Sequence, residues 1–377
     1  MTPRTTTSVL AGFALALCLA TPLLAQAPRP RPQPIVSPEI HADRTVTFRF
    51  RAPAATVVEL SGQFLKANQP MTVDAAGVWS VTVGPVAPNL YPYNFVVNGV
   101  SVADPGNMRV FPNERFKASL LDVPADPPAL YAVRDVPHGE VTHAYYTSKT
   151  LGGTRPLVIY TPPGYREGTA AYPVFYLVSG TTDTEETWFT VGRVNFMLDT
   201  LIAEKRAVPM IVVMPYGNVF ASTPDPSTLQ AAEMYKAFSD DLIASIMPFV
   251  DAHYRTRKTR ESRAIAGFSR GGGQSLFAGF TNLDRFAWIG SYSAYLTSEV
   301  WDKYFAALSA DHATTNRRLK LLWLGVGNED FLFPQANAFD ALMTEKQIVH
   351  KRLVTGGGHT WMNARTYLAE TLQLFFK

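Results

Sequence analysis

The chain has 377 residues, of which 47% are apolar and 17% charged, with a formal net charge of +3. That length exceeds a typical single domain and suggests two, with ample material for a large core. The near balance of charge gives no argument for a nucleic-acid or acidic partner, and the sequence carries no metal-ligand spacing, phosphate loop or nucleic-acid motif.

Met1-Thr2-Pro3-Arg4, an apolar run over residues 9–20 and Leu23-Leu24-Ala25 have the basic start, short hydrophobic middle and small-residue exit of a secretory signal peptide over residues 1–25. Cleavage is expected after Ala25, because Pro28 disfavours the later site at Ala27. The run is short for a membrane span, so no stable membrane insertion is expected once it is removed. Cys18, the sole cysteine, lies inside this segment. The mature chain would then carry neither a disulfide nor a thiol nucleophile, as suits a secreted or periplasmic bacterial protein. A lipid anchor on Cys18 is disfavoured by Leu17, which stands where a small residue is needed.

Residues 26–38 are proline-rich, with Arg-Pro repeats and no apolar periodicity, and read as a flexible linker. The pattern then alternates: Val46, Phe48 and Phe50 oppose Thr45, Thr47, Arg49 and Arg51, and Trp79, Val81 and Val83 form a second run. Asn98-Gly99 between Phe95-Val96-Val97 and Val100-Ser101-Val102 is a hairpin turn, since both residues tolerate the positive φ of a tight reversal. Residues 39–125 are therefore predicted to form a small all-β sandwich, with Trp79 in its core. Residues 126–139, rich in Pro, Asp and Ala, read as a second linker.

From residue 140 to residue 377 the grammar changes. Apolar strands at 157–160, 174–178 and 210–214 alternate with helical stretches at 194–205 and 234–254, which predicts an α/β domain with a mainly parallel sheet covered by helices. Gly267-Phe268-Ser269-Arg270-Gly271 sits between the apolar run Ala264-Ile265-Ala266 and a helix-like segment at 272–280. This is a nucleophile elbow, whose two glycines let a strand turn sharply into a helix and lift the serine hydroxyl above the sheet. A strand at 319–325 then leads to Asn328-Glu329-Asp330, and Arg352-Leu353-Val354 leads to Gly356-Gly357-Gly358-His359. The order is Ser, acid, His, with acid and histidine just past strand C-termini. A serine hydroxyl is a poor nucleophile until an imidazole takes its proton, and the imidazolium formed needs a fixed carboxylate. The candidate set is Ser269, His359 and an acid that is Asp330, with its neighbour Glu329 as the rival. His143, His253, His312 and His350 lack such a setting.

With these residues in hand, residues 140–377 resemble carbohydrate esterase family one, which includes feruloyl and acetylxylan esterases, with enterochelin esterases as relatives. The resemblance rests on Gly357-Gly358-His359-Thr360-Trp361, on Asp199-Thr200-Leu201-Ile202-Ala203-Glu204 followed by Pro209-Met210-Ile211-Val212-Val213-Met214-Pro215, and on the elbow. Through Tyr93-Asn94-Phe95-Val96-Val97-Asn98-Gly99-Val100 and Val102-Ala103-Asp104-Pro105, the N-terminal half resembles the immunoglobulin-like early-set sandwich of glycogen-binding-type modules. The implied fold is an α/β-hydrolase preceded by a carbohydrate-binding-like sandwich. Asp330 fits the family's Gly-x-x-Asp pattern counted from Gly327. Where relatives commonly have His-Gly-Gly after the oxyanion strand, this chain has Ser179-Gly180-Thr181-Thr182. Because the oxyanion hole uses backbone N–H groups, Thr181 and Arg270 are its candidates. Trp188, Phe268 and Trp361 are candidates for the substrate wall, and Tyr216, Asn218 and Phe220 for the outer rim.

The resemblance implies a secreted serine esterase acting on feruloyl or acetyl esters of plant polysaccharide through an acyl-enzyme, without a cofactor. An enterochelin-type or general short-acyl esterase is the alternative. A third reading, of a different class, is an inactive hydrolase scaffold serving as a carbohydrate-binding protein. The partner is a small or polysaccharide-linked ester; the acyl group, the sugar and the oligomeric state stay open.

Overall fold

The computed structural model describes residues 1–2, 34–219 and 229–377, so all but the first two residues of the expected signal peptide, most of the expected first linker, Cys18 and Phe220 lie outside the described residues. Residues 36–377 form one compact unit.

Its N-terminal part is a two-sheet β-structure. One sheet joins β1 (Glu39–Ile40), β2 (Val46–Arg51), β6 (Val78–Val83) and β5 (Thr72–Val73) in that spatial order. The other joins β4 (Gln69–Pro70), β3 (Val58–Gly62), β7 (Asn89–Val97) and β8 (Val100–Val102), with β9 (Ser119–Val123) on the other side of β7. Alternation decides which side chains face inward: Tyr91, Tyr93 and Phe95 of β7 are buried, while Pro92 and Asn94 between them stay partly open. Trp79 is in the core, and its indole N–H donates to the Ala52 carbonyl at 2.9 Å. The β7–β8 reversal runs through Asn98 and Gly99, at φ 48° and 85°.

The C-terminal part is an eight-stranded sheet in the order β10 (Glu140–Thr147), β11 (Thr154–Thr161), β13 (Ile211–Pro215), β12 (Val174–Val178), β14 (Arg263–Phe268), β15 (Trp288–Tyr292), β16 (Leu321–Gly327), β17 (Lys351–Thr355). β11 is antiparallel to both its neighbours and every later pairing is parallel. Helices cover both faces, which is why β12, β13 and β14 are mostly apolar and buried at every residue rather than alternating, with Arg263 at the start of β14 paired to Asp251 at 2.8 Å. Leu229–Asp241 and Arg270–Thr281 pack on one face, Val194–Ala203 and Trp361–Leu372 on the other.

Two expectations about the joints need correction. Ser37, assigned to the flexible linker, is buried and donates to Asp104 Oδ2 at 2.6 Å, so order begins before residue 39. Residues 126–139 are no free tether either: Leu130 and Tyr131 pack against the hydrolase core, and His138 Nδ1 lies 2.8 Å from the buried Asp199 carboxylate. The two parts share a core. Leu90, Phe111, Ala118 and Leu120 belong to the same apolar cluster as Phe175, Trp188 and Trp361. Buried Arg365, on the C-terminal helix, donates across the seam to Leu90 O at 3.0 Å and to Asn89 Oδ1, and back to Val191 O at 3.0 Å. Burial lowers its pKa to about 10.

Candidate active site

β14 ends at Phe268, and Ser269 stands alone between it and the helix Arg270–Thr281, at φ 57° and ψ −125°. A non-glycine residue in that region is strained by about 1–3 kcal/mol, and the surroundings must hold it. Here Ser269 N donates to Tyr292 O at 2.8 Å, while Ser269 O accepts from Gly272 N at 2.9 Å and Gly273 N at 3.1 Å. The flanking glycines are required by closeness: a Cβ on Gly267 would collide with the Gly271 carbonyl, and one on Gly271 with the Val178 carbonyl.

The loop after β17 brings His359 over this turn. Its Nε2 lies 2.8 Å from Ser269 Oγ, and its Nδ1 lies 2.9 Å from Asp330 Oδ2 and 3.0 Å from Oδ1. With the proton on Nδ1, held by the carboxylate, Nε2 is free to accept the serine proton. Asp330 Oδ1 also accepts from Leu332 N at 2.8 Å. Burial raises the Asp330 pKa, but the His359 hydrogen bond and charge, with smaller help from Leu332 N and Ser293, hold it below the ordinary carboxylate value. Glu329, its rival, is exposed, and its backbone N–H donates to Gly357 O at 3.1 Å.

Ser269 and His359 open into a cleft of about 690 Å³. Gly180 and Thr181, on the loop after β12, line it together with Phe268 and Trp361. Phe268 stacks on the His359 ring at 4.7 Å. Arg270 does more than offer a backbone N–H: its buried guanidinium donates through Nη2 to Gly180 O at 2.7 Å and so ties the helix to that loop. Beneath the loop sits Asp183, whose pKa burial pushes up to about 7 against the opposing pull of Asn113, Arg270 and the Gly180 N–H.

Trp188 is a correction. It is 0% exposed, its indole N–H donates to Val178 O at 3.0 Å, and its ring packs edge-on against Trp361 at 4.6 Å, so it supports the wall from behind without facing the cleft. Tyr216 and Asn218 lie outside the cleft lining and bond to the Glu114 carboxylate. Sequence reasoning missed Phe331, 69% exposed and 4.6 Å from the His359 ring, although an aromatic directly after the acid was a visible signal. It also missed Phe111, Asn113, Phe116, Ser61, Gln63 and Asn94, all cleft-lining residues from the N-terminal part. Phe111, Asn113 and Phe116 stand in no periodic or motif context, whereas Asn94 lies on the outward side of the alternating β7.

The sheet order, its antiparallel second strand and the serine turn after its fifth strand define an α/β-hydrolase fold. Residues 148–373 match the family described as "Putative esterase", and the chain belongs to that family. It is 27% identical over 364 residues to an endo-1,4-beta-xylanase/feruloyl esterase of Xylanibacter ruminicola, a match over 93% of this chain and 47% of that protein. The chain spans less than half the length of the curated relatives it matches. Among solved structures, the CE1 ferulic acid esterase of Anaeromyces mucronatus is similar at TM-score 0.57 and 23% identity, covering 66% of this chain and 96% of that one. The enterobactin esterase of Shigella flexneri is similar at TM-score 0.63 and 20% identity, covering 88% and 92%. The wider match extends into the N-terminal part.

Among the described residues, no helix is long and apolar enough to cross a membrane.

Proposed function

We propose that the chain is an exported serine esterase that hydrolyses hydroxycinnamoyl or acetyl esters of plant cell-wall polysaccharide. The observation that carries this reading is the unbroken chain of hydrogen-bond distances from Ser269 Oγ, in the lining of the cleft, through His359 to the buried Asp330. Ser269 Oγ attacks the acyl carbonyl while His359 Nε2 takes its proton, and Asp330 steadies the imidazolium. The backbone N–H groups of Thr181 and Arg270 receive the oxyanion. His359 then protonates the leaving alcohol and, in the second half, activates water to release the acid. The basic start and apolar run of residues 1–25 support export.

The aromatic lining supports a planar acyl group: Phe268, Trp361, Phe331, Phe111 and Phe116 all border the cleft. The relative from Xylanibacter, named as a feruloyl esterase, is consistent with it. A second reading, cleavage of a catecholate siderophore ester, is favoured by the enterobactin esterase match, which reaches into the N-terminal part.

Turnover of methyl ferulate, p-nitrophenyl acetate, acetylated xylan and a catecholate siderophore, measured side by side, tests the reading. Methyl ferulate or acetylated xylan is expected to give the highest kcat/KM. Preference for the siderophore selects the second reading, and turnover of none of the four leaves a carbohydrate-binding scaffold.

A further inference from the structure

The loop that carries Thr181 is held from outside its own domain. Residues 111–118, between β8 and β9, run along it: Glu114 N donates to Thr182 O at 2.8 Å, and Asn113 pairs with Asp183 as an antiparallel bridge. The Asn113 side chain, on a residue 2% exposed, spends both amide hydrogens on this loop, donating through Nδ2 to Thr182 Oγ1 at 3.0 Å and to Asp183 Oδ1 at 3.1 Å. Asp183 passes the restraint on, since its Oδ2 accepts from Gly180 N at 3.2 Å and its N–H donates to Gly180 O at 3.3 Å. Gly180 is the residue before Thr181, and its carbonyl also receives Arg270 Nη2. Thr182 itself sits at φ 63°, a conformation a β-branched residue adopts only when its neighbours impose it. Asn113 is in turn fixed, because its Oδ1 accepts from Arg115 N at 2.9 Å and Lys117 Nζ donates to its carbonyl at 2.6 Å.

We propose that Asn113, from the N-terminal part, is a positioning residue for the oxyanion site, fixing through Thr182 and Asp183 where the Thr181 N–H points. The inference rests on the serine-esterase reading above. An oxyanion donor acts only if it is aimed before charge develops, so a loop free to shift by about an ångström loses on the order of 100-fold in rate without losing substrate.

Asn113→Ala and the isosteric Thr182→Val test it, with p-nitrophenyl acetate as substrate and phenylboronic acid as a probe that becomes tetrahedral on Ser269. For Asn113→Ala, kcat should fall about 10- to 100-fold with KM within about twofold, and phenylboronic acid should weaken by a similar factor. Thr182→Val, which loses one of the two bonds and keeps the shape, should lose about threefold in kcat in the same way. A folded Asn113→Ala protein with kcat and phenylboronic acid affinity unchanged overturns the proposal, as does a loss confined to KM, which would make Asn113 a wall of the cleft only. Should Asn113→Ala fail to fold, an unchanged kcat in Thr182→Val overturns it. A wild-type protein that neither turns over the ester nor binds the boronic acid removes the esterase reading itself, and the role of Asn113 with it.

Discussion

The eight-stranded sheet and the N-terminal sandwich contribute to the same cleft in different ways. In the sheet, β12, β13 and β14 are buried at every residue, so no strand face is left for a ligand and the proposed catalytic groups stand at strand ends: Ser269 after β14, Asp330 after β16, His359 after β17. In the sandwich one side of β7 is core while Pro92 and Asn94 on the other side line the cleft. A sheet covered by helices on both faces can aim a few groups with accuracy; a sheet with an open face can supply a wall. The cleft needs both, and the shared cluster around Leu90, Phe111, Trp188 and Trp361 holds the two together.

The largest effect is expected from taking the wall away. A chain beginning at Ala132 would bare the seam side of Trp361 and leave the 180–183 loop without Asn113 and Glu114. Small-ester turnover should be lost, with aggregation or a lower melting temperature. This reverses the independence that the linker-like composition of residues 126–139 suggests, and full activity in that chain would break the comparison.

Next comes a test confined to the sheet. Asp330→Asn should lower kcat by about three to four powers of ten with little change in KM, because the amide no longer fixes the tautomer or steadies the imidazolium. Glu329→Gln, at an exposed neighbour, should change kcat less than about threefold. Steady-state kinetics on both variants decides, and the reverse ranking would move the acid to Glu329.

The smallest of the three sharpens the seam alone. Arg365→Met would take the guanidinium donor from the Leu90 and Val191 carbonyls and from the Asn89 amide oxygen, which keeps Leu90 N at 2.9 Å, destabilising the unit by about 2–4 kcal/mol in denaturant unfolding while the folded fraction keeps its kcat/KM. A drop in kcat/KM without loss of stability would mean that the seam reports directly to the reacting groups.

Much of this was legible in the sequence because it is local. The elbow glycines and the apolar strand runs each follow from chemistry within a few residues of one another, the Ser, acid, His order is carried by three short motifs that are each local, and Asn98-Gly99 announces its own turn. What could not be read was pairing across long separations. Phe111, Asn113 and Phe116 lie in an aperiodic stretch, and their role exists only because the stretch meets residues 180–183 about 70 positions later. Trp188 was misjudged for the same reason: its place after the oxyanion strand is a sequence fact, but whether its ring turns to the cleft or into the core depends on Trp361 and Val178. Choosing Asp330 over Glu329 likewise needs the side-chain directions that put one carboxylate 2.9 Å from His359 Nδ1.

The central claim is that Ser269 is an activated nucleophile. Labelling by a fluorophosphonate, followed by intact-mass measurement on the wild-type protein and on Ser269→Ala, tests it most directly, because an unactivated serine hydroxyl reacts slowly. One adduct per chain is predicted in the wild type, mapped to the peptide holding Ser269, with none in the variant and a loss of several powers of ten in ester turnover. Equal labelling of the two proteins, or turnover near the wild-type level in Ser269→Ala, would contradict it.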